Sequence, residues 1–490
     1  MTASVAVPLW LFLILCLLAA WAAGVLLLAP GMRWFFRRRI NAVIEELNTR
    51  LKTELPSFKL TRREVLIDRL FHDPALQAAA EAHAKDTGEP LTDVRRRIDR
   101  YAREIVPSFN AYLYFRVGYW LAKTAARSLY RVRLGYADEA GLANVDPKST
   151  VVFVMNHRSN MDYVLVAFLA AEQVALSYAV GEWARVWGLQ ALIRSMGAYF
   201  VRRNSGDPLY RAVLSRYVQM ATEAGVPQAL FPEGGLTVDG ALRQPKFGLL
   251  DYMVKTFRAD APRDLVFIPV GLNYDRVLED RSQLLKLAEH RHRRGLIGAV
   301  LTTLTFIGRN LWLMLTGRWH RLGYACVNFG SPVSMRQYVQ AHGVDFAALD
   351  ETTRREKITA LRRQLMQSIG AMIPVVPVAL VAQVFRRDPD RAFSELEVKS
   401  AACDLLAGWE ARGAHIYVPR HDRDYAIGVG LRMLTLRRLV DGADVLGGVG
   451  RLVETELGEG WVGLALPPAH GVPLRLAVAD DEDSEHGRGR

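Results

Sequence analysis

The segment VVFVMNHRSNMDY, residues 151–163, decides how the middle of the chain folds. Apolar residues suited to a buried β-strand end at a polar cluster, and apolar residues resume directly afterwards in YVLVAFLAA. A strand, a loop and a helix in this order are typical of an α/β unit. His157 lies in the predicted loop and Asp162 in the first turn of the predicted helix. The pattern therefore predicts that a histidine and an acid meet at the carboxyl end of a strand.

The composition of the 490-residue chain limits its class. Half of the residues are apolar and 23% are charged, which supports a large folded core and roughly two to four structural units. The formal net charge of +12 favours phosphate-bearing partners: nucleic acid, anionic membranes or phosphorylated small molecules. The three cysteines are far apart and form no CxxC, so we expect no disulfide framework and no zinc site, as in a reducing compartment.

Residues 1–32 predict a transmembrane helix. No charged side chain occurs between Thr2 and Met32, and the apolar run from Val5 to Ala29 can span a hydrocarbon layer of roughly 30 Å. Arginines at positions 33, 37, 38 and 39 follow the run, and no basic residue precedes it. A signal peptide would have a basic start and a shorter apolar core. We therefore expect a single-pass anchor in the inner (cell) membrane, with the rest of the chain in the cytoplasm.

Four further regions follow the predicted anchor. Residues 33–140 form a helical N-terminal region, because apolar positions recur at helical spacing to about residue 134. Residues 141–345 alternate strand candidates (VVFVM, QALFP, LVFIPVGL) with helix candidates, which predicts an α/β fold with a mixed, largely parallel sheet flanked by helices. Residues 346–478 predict a helical segment and a small α/β unit, and the acidic tail at 479–490 should be disordered.

His157 and Asp162 can cooperate only at a turn. On a continuous helix five residues turn about 500°, which would separate the two side chains. At a strand-to-helix turn the carboxylate could hold one imidazole nitrogen, while the other nitrogen takes a proton from a hydroxyl. Ser159 and Asp162 also fit the S-x-x-D capping pattern, so these residues alone leave helix capping and catalysis equally open.

Two more polar clusters follow predicted strands. GAYFVRRNSGD places Arg202 and Arg203 at a strand exit, where one guanidinium could clamp a phosphate while the other points to the opposite face. QALFPEGGLTVDG places Glu233 beside Gly234 and Gly235, whose backbone N–H groups could approach an anion. Each cluster by itself is equally typical of surface charge or a plain loop.

A fourth cluster, LVFIPVGLNYDR, contains a proline within an otherwise good strand. Proline is confined to edges and bulges of sheets, so Pro269 predicts a distorted strand end, as found beside many sites. Loops at the carboxyl ends of parallel strands gather into one crevice, and all four clusters stand at such ends.

Together, the four clusters resemble the motifs of the glycerolipid acyltransferases, specifically the membrane-bound bacterial glycerol-3-phosphate acyltransferases. NHRSNMD resembles that family's H-x4-D block, GAYFVRR its G-x-x-F-x-R-R block, FPEGG its E-G-G block and VFIPVGLNYDRVLED its proline block. LIDRLFHDPAL upstream and YACVNFGSPVS downstream are also similar, so the resemblance covers roughly residues 60–333. It implies an α/β core with the His–Asp pair at a strand exit.

The resemblance also implies roles for the motif residues. His157 would be the general base and Asp162 its partner. Arg203, with Arg202, would hold the phosphate of the acceptor, and Pro269 would shape the acyl-donor side. The acceptor site would be lined by the E-G-G block: Glu233, Gly234 and Gly235.

The E-G-G block departs from the family pattern in one respect. The family usually continues with an arginine thought to contact the phosphate, but Leu236 stands in that place, and Val238 follows where another basic residue is common. Arg243 and Lys246, further along the same loop, could supply the missing charge. The departure concerns the identity of the acceptor more than the type of reaction.

The implied enzyme is a glycerol-3-phosphate 1-O-acyltransferase of phospholipid synthesis. It would move a fatty acyl group from acyl-CoA or acyl carrier protein to the sn-1 hydroxyl of glycerol 3-phosphate and give lysophosphatidate, without a metal or a cofactor. Backbone amides near His157 would stabilise the oxyanion. The alternatives are lysophosphatidate or dihydroxyacetone phosphate as acceptor, or a non-catalytic, membrane-tethered lipid-binding protein. No helix-turn-helix, zinc or aromatic–basic module supports nucleic-acid binding.

Overall fold

A computed structural model describes residues 56–170, 175–181, 189–202, 205–237, 239–246, 248–280, 321–388, 391–437, 439–442 and 449–452. The predicted anchor, the predicted disordered tail, Arg203 and Val238 lie outside these described residues. Among the helices within them, none is long and apolar enough to cross a membrane.

Helices form most of the first described region. They are α1 (Ser57–Leu60), α2 (Arg63–Phe71), α3 (Pro74–Thr87), α4 (Leu91–Ile105), a π-helical stretch (Leu113–Gly118) and α5 (Tyr119–Leu129). Helical spacing predicts helix to residue 134, but the chain forms a strand, β1 (Arg131–Ala137), directly after α5. RVRLGYA forms a strand and not a helix because it pairs in parallel with a distant strand. Local spacing cannot show such a tertiary contact.

The main sheet is mixed and largely parallel, as predicted. Its further strands are β2 (Thr150–Met155), β3 (Ser177–Val180), β4 (Tyr199–Phe200), β5 (Gln228–Leu230), β6 (Leu265–Tyr274), β7 (Tyr324–Phe329) and β8 (Val333–Ser334). The order is β1-β7-β6-β2-β5-β3-β4, with β8 also paired to β6. Strands β6, β2, β5, β3 and β4 run parallel, whereas β7 and β8 are antiparallel to β6.

Helices cover both faces of this sheet. They are α6 (Glu139–Ala143), α7 (Met161–Ala170), α8 (Leu189–Ser195), α9 (Pro208–Glu223), α10 (Gly248–Val254), α11 (Met335–His342) and α12 (Glu351–Met372). On β2, Val152 and Val154 pack into a cluster with α2–α4 and α9–α12, while Val151, Phe153 and Met155 pack into a second cluster with α7. Each such side chain stabilises the fold by about 1.5–3 kcal/mol when it is fully buried. The apolar run VVFVM is thus explained by burial on both faces.

Pro269 lies within β6 and not at an edge of the sheet. Val154 of β2 lies opposite it. On the other side of β6 the partner changes from β8, opposite Phe267, to β7, which pairs from Val270 onward. The Pro269 carbonyl accepts the N–H of Gly330 at this change of partner. The missing proline N–H faces the same side, so it falls where the partner strands are interrupted. The predicted distortion of the strand is wrong, because β6 pairs with β2 in unbroken register from Leu265 to Val270.

A smaller, mainly helical unit follows α12. It contains α13 (Pro377–Arg387), β9 (Phe393–Ser394), α14 (Glu395–Glu410), a 3₁₀ turn (Pro419–His421), α15 (Arg423–Leu436), β10 (Val440–Gly442) and β11 (Val449–Leu452). Its three strands form an antiparallel sheet of order β10-β11-β9. The strand-like HIYVP contributes a single bridge, from Ile416 to Val375. We call residues 373–452 the C-terminal unit.

Candidate active site

The loop that follows β2 is hydrogen-bonded to β6 at Asn156, the residue before His157. The Asn156 side-chain amide donates to the Leu272 carbonyl over 2.9 Å and accepts the Leu272 N–H over 2.8 Å. These two bonds continue the β2–β6 ladder through a side chain. The backbone of His157 therefore starts from a fixed point at the carboxyl edge of the sheet.

His157 and Asp162 meet at this edge, as the sequence predicts. The imidazole Nδ1 lies 2.9 Å from Asp162 Oδ2, and both side chains are buried, with exposures of 3% and 0%. The same carboxylate accepts the N–H groups of Arg158 and Ser159 over 2.7 and 3.0 Å, and Oδ1 accepts the Tyr274 hydroxyl. Because the carboxylate is an acceptor in each of these bonds, Nδ1 is assigned as a donor. Nε2 then carries a lone pair, and it forms no hydrogen bond with the described residues.

The start of α7 explains why the sequence left two interpretations open. Ser159 Oγ accepts the Met161 N–H over 3.1 Å, and Asp162 reaches back to the Ser159 N–H. This is a helix-capping arrangement. Asp162 therefore caps α7 and orients His157 at the same time, and the two interpretations describe one structure.

Glu279 supports the same loop from the segment after β6. Its carboxylate accepts the Ser159 hydroxyl over 2.7 Å and both the N–H and the side-chain amide of Asn160 over 3.0 and 2.9 Å. Sequence reasoning missed both Glu279 and Tyr274 as site residues. The available signal was the polar run YDRVLED at the exit of the predicted strand that contains Pro269.

Glu233 connects the His157 loop to the loop after the E-G-G turn by hydrogen bonds. One carboxylate oxygen accepts the His157 N–H over 2.8 Å and the other accepts the Arg243 N–H over 2.9 Å. The side chain is 3% exposed, and burial raises its pKa. The Thr237 N–H donates to the His157 carbonyl over 2.9 Å, and the rings of His157 and Phe231 lie 4.1 Å apart. The predicted acceptor-lining residue thus sets the position of His157, and two backbone N–H groups occupy its carboxylate.

The E-G-G turn brings a lysine beside the glycines. Gly234 has φ +66°, a left-handed conformation that favours glycine, and a Cβ there would lie 2.8 Å from Lys246 Cδ. The Lys246 N–H donates to the Pro232 carbonyl over 2.8 Å. A Cβ on Gly235 would meet open space. The side chains of Arg243 and Lys246 are exposed, so both predicted cations can reach a ligand from this loop.

Arg202 is engaged in a different contact from the predicted one. Its guanidinium forms two bonds of 2.8 and 2.6 Å with Glu104 and lies about 5 Å from the ring centroids of Tyr101 and Tyr210. It follows β4, which is separated from β2 by β5 and β3. Three strand spacings of about 4.8 Å put β4 about 14 Å from β2. Arg202 therefore joins the helical region to the sheet edge.

The predicted oxyanion donors are also occupied, which corrects that expectation. The backbone N–H of His157 donates to Glu233, those of Arg158 and Ser159 to Asp162, and that of Asn160 to Glu279. Three carboxylates surround this short loop, and they consume its amide donors. Within the described ranges, no three His, Cys, Asp or Glu side chains lie close enough to hold a metal ion.

Residues 273–280, here named the β6 exit segment, contact on one side residues 156–162, here named the catalytic loop. Tyr274 and Glu279 bond this loop as described above. Asn273 Oδ1 accepts the guanidinium of Arg158 over 3.2 Å. Arg158 is 2% exposed, and burial lowers its pKa to about 10.

The same segment holds the C-terminal unit on its other side. Asn273 donates to the Pro374 carbonyl over 2.8 Å, and Asp280 pairs with Arg437 over 3.2 Å. Asp275 accepts the N–H of Val378, at the start of α13, over 3.0 Å. It also accepts a backbone N–H of β7, and burial raises its pKa to about 6.

Comparison with known proteins identifies both halves of this arrangement. The Acyltransferase family model matches residues 138–273, which include the catalytic loop. The model of the glycerol-3-phosphate acyltransferase C-terminal region matches residues 310–454. Together the two models match more than half of the chain.

The relatives carry the same description. A glycerol-3-phosphate acyltransferase of Xylella fastidiosa (strain M23) is 25% identical over 370 residues, or 74% of this chain and 42% of the relative. Those of Xanthomonas axonopodis pv. citri and Pseudomonas putida (strain W619) are 26% and 27% identical, over 74% and 67% of this chain and 40% of each relative. The chain thus spans about two fifths of the length of these relatives.

A solved structure is similar over part of the chain. It is the 1-acyl-sn-glycerophosphate (LPA) acyltransferase from Thermotoga maritima, 17% identical with a TM-score of 0.30, covering 52% of this chain and 78% of that chain. The two family models and the relatives agree, and the chain belongs to the glycerol-3-phosphate acyltransferase family.

Proposed function

We propose that this protein transfers a fatty acyl group from acyl-CoA or acyl carrier protein to the sn-1 hydroxyl of glycerol 3-phosphate and so produces lysophosphatidate. The observation that carries the proposal is the His157–Asp162 pair, with 2.9 Å between Nδ1 and Oδ2 and an Nε2 lone pair that no described residue uses. The names of the relatives support glycerol 3-phosphate as the acceptor.

The reaction follows from the tautomer that Asp162 imposes. His157 Nε2 takes the proton of the acceptor hydroxyl while the oxygen attacks the thioester carbonyl carbon. A C–O bond forms, the C–S bond breaks as the tetrahedral intermediate collapses, and the departing sulfur receives the proton from the imidazolium. Asp162 stabilises that imidazolium, and general-base catalysis of this kind contributes about 10²–10⁴ in rate. No covalent enzyme intermediate is needed.

Two aromatic rings flank the proposed base. The Phe231 ring lies 4.1 Å from the imidazole and tilts by 31°, and the Tyr163 ring meets it edge-on at 5.4 Å. The Asp162 carboxylate bonds the Nδ1 edge of the imidazole. Together with the two rings, it holds the imidazole in one orientation. A fixed ring loses little entropy when the acceptor binds, which is what general-base catalysis requires of its base.

The loop after the E-G-G turn is the best candidate to bind the acceptor phosphate. Arg243 and Lys246 are exposed there, and the Arg243 N–H shares Glu233 with the His157 N–H. Arg202 is already paired with Glu104. We therefore assign phosphate binding first to Arg243 and Lys246, with Leu236 standing where an arginine is usual. The replacement keeps lysophosphatidate and dihydroxyacetone phosphate as alternative acceptors.

The proposed site of action is the inner (cell) membrane. The apolar run at residues 5–29 followed by arginines supports a single-pass anchor, with the catalytic domain in the cytoplasm. An anchor would keep a lipid product next to the bilayer.

An acceptor assay tests the proposal. The purified full chain receives one acyl-CoA and, in turn, glycerol 3-phosphate, dihydroxyacetone phosphate and lysophosphatidate, and thiol release is followed. We expect the largest kcat/KM with glycerol 3-phosphate, and we expect His157→Ala to lower it by about 10²–10⁴. His72→Ala, at an exposed histidine after α2, is the matched control and should leave the rate unchanged.

Each other outcome is decisive. A larger kcat/KM with another acceptor would replace the proposed substrate and keep the chemistry. Full activity in a folded His157→Ala variant would remove the mechanism, and no turnover with any acceptor would favour the non-catalytic lipid-binding alternative.

A further inference from the structure

A cleft lies between the β1–β7 edge of the main sheet and α15 of the C-terminal unit. It has a volume of about 550 Å³, within the usual range for ligand sites. Three arginines line it: Arg131 at the start of β1, Arg321 just before β7, and Arg432 on α15. The proposed acyl transfer uses none of them.

The cationic side of the cleft is available to an anion. The side chains of Arg131, Arg321 and Arg432 are exposed, and none of them pairs with an acidic side chain of the described residues. Arg131 lies 5.6 Å from the ring centroid of Tyr324, which also lines the cleft. Planar guanidinium forks match the oxygens of a phosphate group in geometry. The cleft therefore presents three guanidinium groups and the phenol ring of Tyr324 to a ligand.

Tyr425 belongs to the helical wall of the cleft. The Arg420 guanidinium lies 4.2 Å from its ring. Burial raises the pKa of the phenol, but the hydrogen bonds with Tyr324 and Arg131 and the charges of Arg420 and Arg131 outweigh burial, and the pKa lies below its usual value.

The remaining wall is apolar. Val429, Met433 and Leu436 line the cleft from one face of α15, at spacings of four and three residues. Leu436 is 58% exposed, so the apolar stripe continues to the surface. A ligand that satisfies both walls carries a phosphate at one end and hydrocarbon at the other.

We propose that this cleft binds the phosphate headgroup of an anionic lipid, with the first methylenes of its acyl chains against α15. Its position suits this role. Ala325 of β7 lies opposite Tyr274 at the end of β6, so Tyr324 and Gly323 of the cleft lie at the same edge of the sheet as the catalytic loop. Strands β7 and β2 flank β6, which puts β7 about 10 Å from β2. A lipid held there would turn the catalytic edge toward the membrane surface. The inference does not depend on the proposed acyl transfer.

Soluble short-chain lipids test the site on the full chain without a bilayer. Binding of dihexanoyl phosphatidylglycerol, below its micelle concentration, is measured by titration calorimetry and compared with dihexanoyl phosphatidylcholine and with glycerol 3-phosphate. The Arg321→Gln/Arg432→Gln double variant should bind the anionic lipid at least about tenfold more weakly, since two charge-assisted contacts are lost. The matched control is Arg386→Gln/Arg387→Gln, which removes two exposed arginines from α13 in the same unit and should bind like wild type.

The three ligands distinguish a lipid headgroup from a free phosphate compound. Tight, arginine-dependent binding of the anionic lipid, with weak binding of the phosphatidylcholine, supports the proposal. Equal binding by the double variant and the wild type would overturn it. Equally tight, arginine-dependent binding of glycerol 3-phosphate would also overturn it, because a soluble phosphate site makes no use of the apolar wall. Thiol release by the double variant in detergent reports acyl transfer separately, so failure of this site and failure of the proposed enzyme remain distinguishable.

Discussion

The loop that carries His157 and the segments that carry the predicted phosphate-binding arginines are built differently. Around His157, three buried or partly buried carboxylates accept the consecutive backbone N–H groups of residues 157–160. Arg202, by contrast, is bound to Glu104 beside an edge strand, while Arg243 and Lys246 are exposed on the loop after the E-G-G turn. The proposed proton-transfer group is thus preorganised, whereas the exposed cations of the E-G-G loop are not held by a comparable set of bonds among the described residues.

This difference separates two requirements of acyl transfer. A base must hold one tautomer and one orientation throughout the reaction, and a dense set of hydrogen bonds enforces both. A phosphate can be captured by flexible, exposed cations that gather around it on binding. Substitutions near His157 should therefore change kcat, whereas those on the E-G-G loop should change KM.

The largest effect is expected from Asp162→Asn. An amide cannot accept from Arg158, Ser159 and His157 in the way a carboxylate does, so the imidazole tautomer is no longer fixed. We expect kcat to fall by about 10²–10⁴, as measured by thiol release from acyl-CoA. Asp86→Asn, at an exposed site on α3, is the control. Retention of more than about a third of the activity in Asp162→Asn would show that the preorganised loop is not the catalytic one.

A pH-dependent stability effect tests how far the ordered region extends into the C-terminal unit. Burial raises the pKa of Asp275 to about 6, above its ordinary value of 3.8. Folding therefore favours the neutral acid, so its contribution to the free energy of unfolding is complete below about pH 4 and is lost as the pH rises through about 6. The shift corresponds to about 3 kcal/mol.

The Asp275→Asn variant should lack this component. Urea unfolding at pH 4.5 and pH 7.5 measures the change in stability for each protein. We expect a smaller decrease toward pH 7.5 in the variant than in wild type. Parallel pH dependences in the two proteins would contradict the prediction.

A smaller effect is expected from Glu279→Ala. It removes the acceptor for Ser159 and Asn160 but touches no proposed substrate group. We expect kcat to fall about tenfold and KM to change by less than about twofold, with faster hydrogen exchange at the N–H groups of residues 158–160. Glu139→Ala, at an exposed acid on α6, should change neither. A rise in KM at constant kcat would move Glu279 from loop support to substrate binding.

The smallest catalytic effect is expected from Arg202→Gln. Its pair with Glu104 is partly exposed, with side-chain exposures of 33% and 14%, so its loss should cost about 1 kcal/mol of unfolding free energy. The KM for glycerol 3-phosphate should stay within about twofold, whereas Arg243→Gln/Lys246→Gln should raise it about tenfold. If Arg202→Gln raises KM tenfold and leaves stability unchanged, Arg202 binds the phosphate as the sequence predicts.

Much of the ordered region could be predicted from the sequence because its signals are local. VVFVM predicts a strand buried on both faces, and every residue of β2 is buried. The polar cluster that ends it predicts a turn, and His157 and Asp162 meet there at the expected edge. A strand exit and a helix start lie within a few residues of each other, so no long-range information is needed.

The remaining features depend on contacts between distant parts of the chain. Glu104 lies 98 residues before Arg202, and Tyr274 lies 112 residues after Asp162. β1 pairs with a strand almost two hundred residues later, which is why helical spacing extended too far into residues 131–134. Local patterns cannot reveal such partners. The same holds for two of the expected oxyanion amides, since the N–H groups of His157 and Asn160 donate to the distant Glu233 and Glu279.

The β6 exit segment has a consequence for protein engineering. Its backbone carries Tyr274 and Glu279 toward the histidine loop and Asp275 and Asp280 toward the C-terminal unit. The boundary between the two matched family regions falls near this segment, yet it does not divide the molecule into exchangeable modules. A chimaera that joins the acyltransferase half of one relative to the C-terminal half of another would place the carboxylates of this segment against partners from a different protein. These mismatched contacts would lie next to the proposed catalytic base. Such hybrids should take residues 156–162, residues 273–280 and the C-terminal half from the same parent, so that the contacts on both sides of the segment are kept.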